Sequence, residues 1–251
     1  MLAEPQEIVF QHMTELYLIR HGEAIGAVQK IIGDTPLSPL GVTQAERLRD
    51  RLASTGEIAA DILIASTLKR ASQTAEIIAP ALELPIHYDD EVHELRDGAA
   101  EGMSEEAYRE AYGSANFAET PFRQVAPGGE NWGQFVLRVC TALDHILREY
   151  EGKTIVLVCH GGVIGVTFLY FLGFDTLHYP QAGFDTLNTS ITHWKRFPYH
   201  RSINGYRWRL LKYNDDMHLR DLHSAVRIPW KALAPRPVED EKQPLTPLQQ
   251  D

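Results

Sequence analysis

Leu16-Tyr17-Leu18-Ile19-Arg20-His21-Gly22-Glu23 decides the architecture: a short apolar run rich in strand formers breaks abruptly into charge and glycine. Two later segments repeat this grammar. Ile62 to Ala65 runs into Ser66-Thr67-Leu68-Lys69-Arg70, and Ile155 to Val158 runs into Cys159-His160-Gly161-Gly162. Continuous apolar runs of this length read as parallel strands buried on both faces. Helical periodicity between them supplies the crossovers that parallel strands require. The expectation is a three-layer α/β/α sandwich around a mostly parallel central sheet, with two further strands at Ser190 to Trp194 and Tyr206 to Tyr213.

The helices follow from spacing and punctuation. Ser38 and Pro39 are a cap and first-position pair, and Ala45, Leu48 and Leu52 then line one face up to Gly56. Leu68, Ala71, Ala75, Ile78 and Leu82 step by three and four, as do Trp132, Val136, Val139, Leu143, Ile146 and Tyr150. Between Asp97 and Glu130 the pattern loosens to a short acidic helix, roughly Ser104 to Tyr112, and a loop closing at Pro127-Gly128-Gly129. That segment reads as an insertion over the site. Residues 1–226 are expected to form one domain. From Arg227 onward, five prolines among charges and glutamines make a composition that cannot build a core, so residues 227–251 are expected to be an extended or disordered tail.

Composition narrows the function. With 24 Lys and Arg against 34 Asp and Glu, the net charge of -10 offers no positive field to gather nucleic acid or anionic lipid, so an anionic ligand must be captured locally. Cys140 and Cys159 have no knuckle or disulfide spacing and suit a reducing cytoplasm. The most hydrophobic stretch, Val163 to Leu172, is too short to span a bilayer. The histidines other than His21 and His160 show no His-x-His or His-Glu-x-x-His spacing, so no metal is expected.

In open α/β sheets ligands bind beyond the carboxyl ends of the strands, where helix amino termini and loop amides converge. All three exits carry reactive side chains, so His21, His160, Arg20 and Arg70 would meet at one sheet edge. Arginine forks match the oxygens of a phosphoryl group. A neutral imidazole can attack phosphorus and divide one difficult displacement into two. The leaving alkoxide needs a proton, for which Glu94 in Glu91-Val92-His93-Glu94-Leu95 is the candidate. A cysteine-phosphatase loop beginning at Cys159 would need an arginine six residues on, where Gly165 stands.

These residues, with Gly33-Asp34-Thr35-Pro36-Leu37-Ser38, Gly41, Gln44-Ala45, Arg70-Ala71-Ser72-Gln73-Thr74-Ala75 and Pro127-Gly128-Gly129-Glu130, resemble the histidine phosphatase superfamily. The resemblance is to the branch containing cofactor-dependent phosphoglycerate mutase and broad-specificity phosphatases, over about residues 15–220. It implies a phosphoglycerate mutase-like fold, His21 as nucleophile, Glu94 as proton donor, and Arg20, Arg70 and His160 as ligands of the phosphoryl oxygens. Only the resemblance decides which histidine attacks. Gly161 and Ser38 complete the candidate substrate-binding set. Ala24 and Ala27 depart from the family, which often has Thr and Asn there, the Asn touching phosphate. The activity expected is hydrolysis of a small phosphorylated metabolite through phosphohistidine, without metal or organic cofactor, in the cytoplasm, with a homodimer left open. The alternatives are a mutase using the same residues, which would carry a longer and more basic insertion, and a non-catalytic scaffold.

Overall fold

The computed structural model describes residues 13–223 apart from 115, 176–177, 181 and 202–204. The expected tail from residue 227 lies outside them. Six strands form one mixed sheet: β1 (Glu15–Arg20), β2 (Ile62–Ser66), β3 (Ile86–Asp89), β4 (Thr154–Cys159), β5 (Ile191–Pro198) and β6 (Tyr206–Asp215). Their order is β3-β2-β4-β1-β5-β6. The pairs β3·β2, β2·β4 and β4·β1 are parallel, whereas β5 runs antiparallel to β1 and β6 antiparallel to β5.

Strand alternation divides the core into two layers. Leu16, Leu18, Ile155, Leu157 and Cys159 face α5 (Trp132–Glu149) and α6 (Gly161–Leu172). Ile19, Leu63, Ala65, Val156 and Val158 face α2 (Pro39–Thr55) and α3 (Lys69–Leu82). Each fully buried aliphatic side chain contributes about 1.5–3 kcal/mol, and β4, buried along nearly its whole length, is the spine.

Local chemistry explains the helix ends. Ser38 Oγ accepts from Gly41 N at 3.0 Å and Pro39 opens α2, which stops at Gly56 in the left-handed region. Asn131 and Gln134 form a reciprocal capping box at the start of α5. The acidic helix of the insertion is α4 (Glu105–Tyr112), capped by Ser104.

Two elements escaped the sequence pattern. Strand β3 is a four-residue edge strand whose central residues are exposed, so no apolar run betrays it. Helix α1 (Ile25–Gln29) is a single short turn without a side-chain cap. The last strands also run further than expected, to Pro198 and Asp215.

The described residues divide into two units, one up to Leu219 and one from Arg220 onward. Of the second, the described part is one helical turn, α7 (Arg220–His223). Among the described residues no helix is long and apolar enough to cross a membrane.

Candidate active site

Register brings the strand exits level. Arg20 pairs with Cys159, and Ala65 with Val158, so His21, Ser66 and His160 leave the sheet side by side. The two imidazole rings lie 5.1 Å apart between centroids, tilted by 58°. Gly22 and Gly41 let the loop after β1 press on the first turn of α2. A Cβ on Gly22 would sit 2.5 Å from Gly41 O, and one on Gly41 would sit 2.0 Å from Glu23 O. Gly22 N is held by Thr74 Oγ1 at 3.0 Å and Glu23 N by Gln44 Oε1 at 2.8 Å, which gives the matched Gly41, Gln44 and Thr74 positions a physical role.

His21 is almost wholly buried. Its Nδ1 lies 2.6 Å from Gly22 O, and a carbonyl only accepts, so Nδ1 carries the proton and Nε2 keeps its lone pair. Arg70 Nε donates to that Nε2 at 3.2 Å. Burial, then Arg70, pushes the imidazole pKa down to about 3, with Gly22 O opposing and Arg20 adding to the shift. The ring is therefore neutral at ordinary pH.

His160 is fully buried, with Nε2 2.8 Å from Ser66 Oγ. Burial first, then His21 and Arg70, holds it well below the usual histidine range. Its Nδ1 and the Nε of Arg20 are buried and have no hydrogen-bond partner among the described residues. Arg20 is anchored by Nη1 to the carbonyl of Thr186, and Arg70 by Nη1 to Gly33 O at 3.1 Å. Two cationic side chains and an imidazole thus converge with buried nitrogens left unpartnered, which the oxygens of a phosphoryl group would satisfy.

Glu94 faces both arginines. Its Oε1 accepts from Leu95 N at 3.1 Å and its Oε2 from Gly162 N, in the first turn of α6, at 2.9 Å. Gly162 makes room for it, since a Cβ there would lie 2.2 Å from Glu94 Oε1. Gly161 sits against Arg20, its would-be Cβ 3.6 Å from Nε. Arg138 of α5 clamps the main chain behind Glu94. It pairs with Glu130 at 2.6 Å and donates to the carbonyls of Glu91, His93 and Glu94 at 2.7, 3.1 and 3.2 Å.

The structure thus brings together His21, His160, Arg20, Arg70, Glu94 and Gly161. It does not bring Ser38 to them. The Ser38 hydroxyl donates to Glu23 Oε1 at 2.6 Å and caps α2, so both of its hydrogen-bonding roles serve the scaffold, and its place in the substrate-binding set is corrected. Ala24 is the buried residue preceding α1 and Ala27 is exposed on it; neither offers a polar side-chain atom. Thr186 and Arg138 support the site and were not singled out by sequence, and Ser66, Thr74 and Gln44 stood in quoted motifs without a role, because each acts on a partner distant along the chain. Cys159 is a buried free thiol whose pKa burial pushes up, unsuited to nucleophilic attack.

A cavity of about 350 Å³ adjoins Arg70 and Glu94 and is lined also by Asp34, Asp97 and Glu101. Burial, then Glu101, pushes the Asp97 carboxyl up to about 6, Arg70 opposing. No group of three metal-ligating side chains occurs among the described residues.

A model of the histidine phosphatase superfamily (branch 1) matches residues 16–216. A probable phosphoglycerate mutase of Proteus mirabilis is 32% identical over 84% of this chain and 97% of its own length. A metal-independent phosphoserine phosphatase of Arabidopsis thaliana is 33% identical over 64% of this chain and 70% of its own. Among solved structures, a histidine-to-alanine variant of phosphoserine phosphatase from Entamoeba histolytica, in complex with phosphoserine, superposes with a TM-score of 0.63. It is 28% identical, over 82% of this chain and all of that one.

Proposed function

The chain belongs to the histidine phosphatase superfamily, and from that premise we propose that it hydrolyses a small phosphate monoester with His21 as nucleophile and phosphohistidine as intermediate. The observation that carries the assignment of roles is the pair of buried, unpartnered nitrogens, Arg20 Nε and His160 Nδ1, beside an imidazole whose unprotonated Nε2 is held by a hydrogen bond from Arg70.

The phosphoryl group lies among Arg20, Arg70 and His160. His21 Nε2 attacks in line, the Nε2–P bond forming as the P–O ester bond breaks, and Arg70 Nε turns from Nε2 to a phosphoryl oxygen. Fixed donors suit this step because charge stays spread over the three equatorial oxygens. Glu94 gives its proton to the departing ester oxygen. As carboxylate it then takes a proton from water, which attacks phosphorus and frees orthophosphate and neutral His21. Holding Glu94 by two backbone N–H groups fixes its position for both half-reactions.

Water is favoured over a second substrate hydroxyl as acceptor by the cavity beside Arg70. Its lining sets Asp34, Asp97 and Glu101 against Arg70 and Arg96, a poor match for the second phosphate of a bisphosphorylated mutase intermediate. Phosphoserine, the ligand of the Entamoeba histolytica relative, is the reference substrate for comparison. Mixing the enzyme with 32P-labelled ester and quenching in alkali traps an acid-labile label on His21, and the His21→Ala variant carries none. Label on another residue, or phosphate release that survives His21→Ala, overturns the assignment.

A further inference from the structure

The opposite flank of the reaction centre holds a cavity of another kind. It measures about 440 Å³, within the range of small-molecule sites. Trp132, Tyr179 and Phe184 are among its walls, and Gly161, Gly162 and Gly165 of α6 form a floor without side chains. The rings are braced: Tyr179 meets Trp132 edge-on at 4.8 Å, and Phe184 stacks on Phe168 at 3.8 Å. Yet Tyr179 and Phe184 remain 42% and 37% exposed, an ordered apolar surface turned to a concavity.

This cavity adjoins the phosphate cradle through its floor. Gly161 lies against Arg20, and Gly162 donates its N–H to Glu94, so two residues of the floor also touch the proposed proton donor and a phosphate ligand. An ester whose phosphorus faces His21 has its bridging oxygen at Glu94, and its organic group leaves past those glycines. The flank by Arg70 is lined by charged groups of both signs, Asp34, Asp97 and Glu101 with Arg70 and Arg96, whereas this one, apart from Asp185, is lined by apolar and aromatic groups whose faces and edges favour another ring.

We propose that this cavity receives the organic group of the substrate, and that the preferred substrates are phosphate monoesters of alcohols or phenols bearing an aromatic ring. The proposal rests on the phosphate site described above. Gly165 supplies the means to test it. A Cβ there meets nothing within 4 Å, so Gly165→Leu fills the cavity without touching the cradle, and leucine suits a helix interior better than glycine.

The full chain is titrated calorimetrically with two non-hydrolysable probes, methylphosphonate and benzylphosphonate. Turnover is measured with ethyl phosphate and 2-phenylethyl phosphate, whose leaving groups are both simple alcohols. Benzylphosphonate is expected to bind at least about tenfold more tightly than methylphosphonate, with kcat/KM ordered likewise and both preferences falling to near unity in Gly165→Leu. Equal affinities for the two phosphonates, or a preference that survives Gly165→Leu, overturns the proposal. His21-dependent hydrolysis of ethyl phosphate in the same preparation then shows that the phosphatase assignment stands without it. Absence of both phosphonate binding and hydrolysis of every ester sinks the two together.

Discussion

Replacing Gly162 by alanine tests the role of Glu94 through a single methyl group. The added Cβ would lie 2.2 Å from Glu94 Oε1 and 3.0 Å from its Cδ, where ordinary contact begins at 3.4 Å. The helix backbone cannot yield, so the carboxyl must, retreating by about 1.2 Å and weakening its bond from Gly162 N. Phe135 Cζ, 3.0 Å from the same methyl, gives by a few tenths of an ångström. Misplacing a reacting group by about 1 Å costs roughly 100-fold. The cost specific to the donated proton should fall on kcat/KM, which reports phosphoryl transfer to His21 and excludes the later hydrolysis in which Glu94 acts as base. With an alkyl ester, kcat/KM drops by about 100-fold. With p-nitrophenyl phosphate, whose leaving group departs unprotonated, kcat/KM stays within roughly threefold. Stability changes little, because alanine restricts the unfolded chain by about 0.4–1 kcal/mol relative to glycine, offsetting much of the local strain. Steady-state kinetics on the two esters, with thermal melts as the folding control, give the answer. Equal losses on both esters would refute Glu94 as proton donor, and an unchanged alkyl rate would refute the steric argument.

Ser66→Ala removes the hydroxyl at His160 Nε2 and leaves a buried ring nitrogen unpartnered, so unfolding free energy should drop by about 1–3 kcal/mol in denaturant melts, with kcat reduced. Arg138→Ala leaves the half-buried Glu130 carboxylate without its cation and frees the main chain behind Glu94; a loss of about 1–3 kcal/mol is expected, together with a lower kcat on alkyl esters. Acid should destabilise the fold through buried imidazoles. Burial and Arg51 hold His218 down to about 4, and burial and Arg70 hold His21 down to about 3, against an unfolded value near 6.5. Their contribution is whole above about pH 6.5 and is lost as pH falls toward 4 and then 3, because the unfolded chain binds protons that the native one refuses. Replacing His218 with Gln should flatten the slope of stability against pH between 6.5 and 4 by up to about 1.4 kcal/mol per pH unit, and an unchanged slope counts against the burial argument.

What the sequence discloses tracks how local each determinant is. Strands β1, β2 and β4 were legible because burial on both faces leaves an unbroken apolar run, and their exits carried Arg20, His21, Arg70 and His160 in plain view. Strand β3 stayed hidden because an edge strand has one face and little to bury. Glu94 could be named, but not the Gly162 amide that holds it or the Arg138 fork behind it, since those meetings depend on register across the sheet and on helix packing. Ser38 misled for the converse reason: a hydroxyl among matched residues suggested substrate, while its own neighbours, Gly41 and Glu23, had already claimed it.

The two ends of the insertion close on each other. Arg96 N donates to Glu130 Oε2 at 3.0 Å, Glu130 N donates to Arg96 O at 2.9 Å, and Arg138 fastens Glu130 to the chain behind Glu94. The segment between them is thus looped out from a fixed frame, tied at its base by this clasp and further along to the 30–34 loop through Gly102, Met103 and Glu105. Such a hasp insulates the reaction centre: the proton donor takes its place from the clasp, and strain within the looped-out segment stops there before it reaches Glu94.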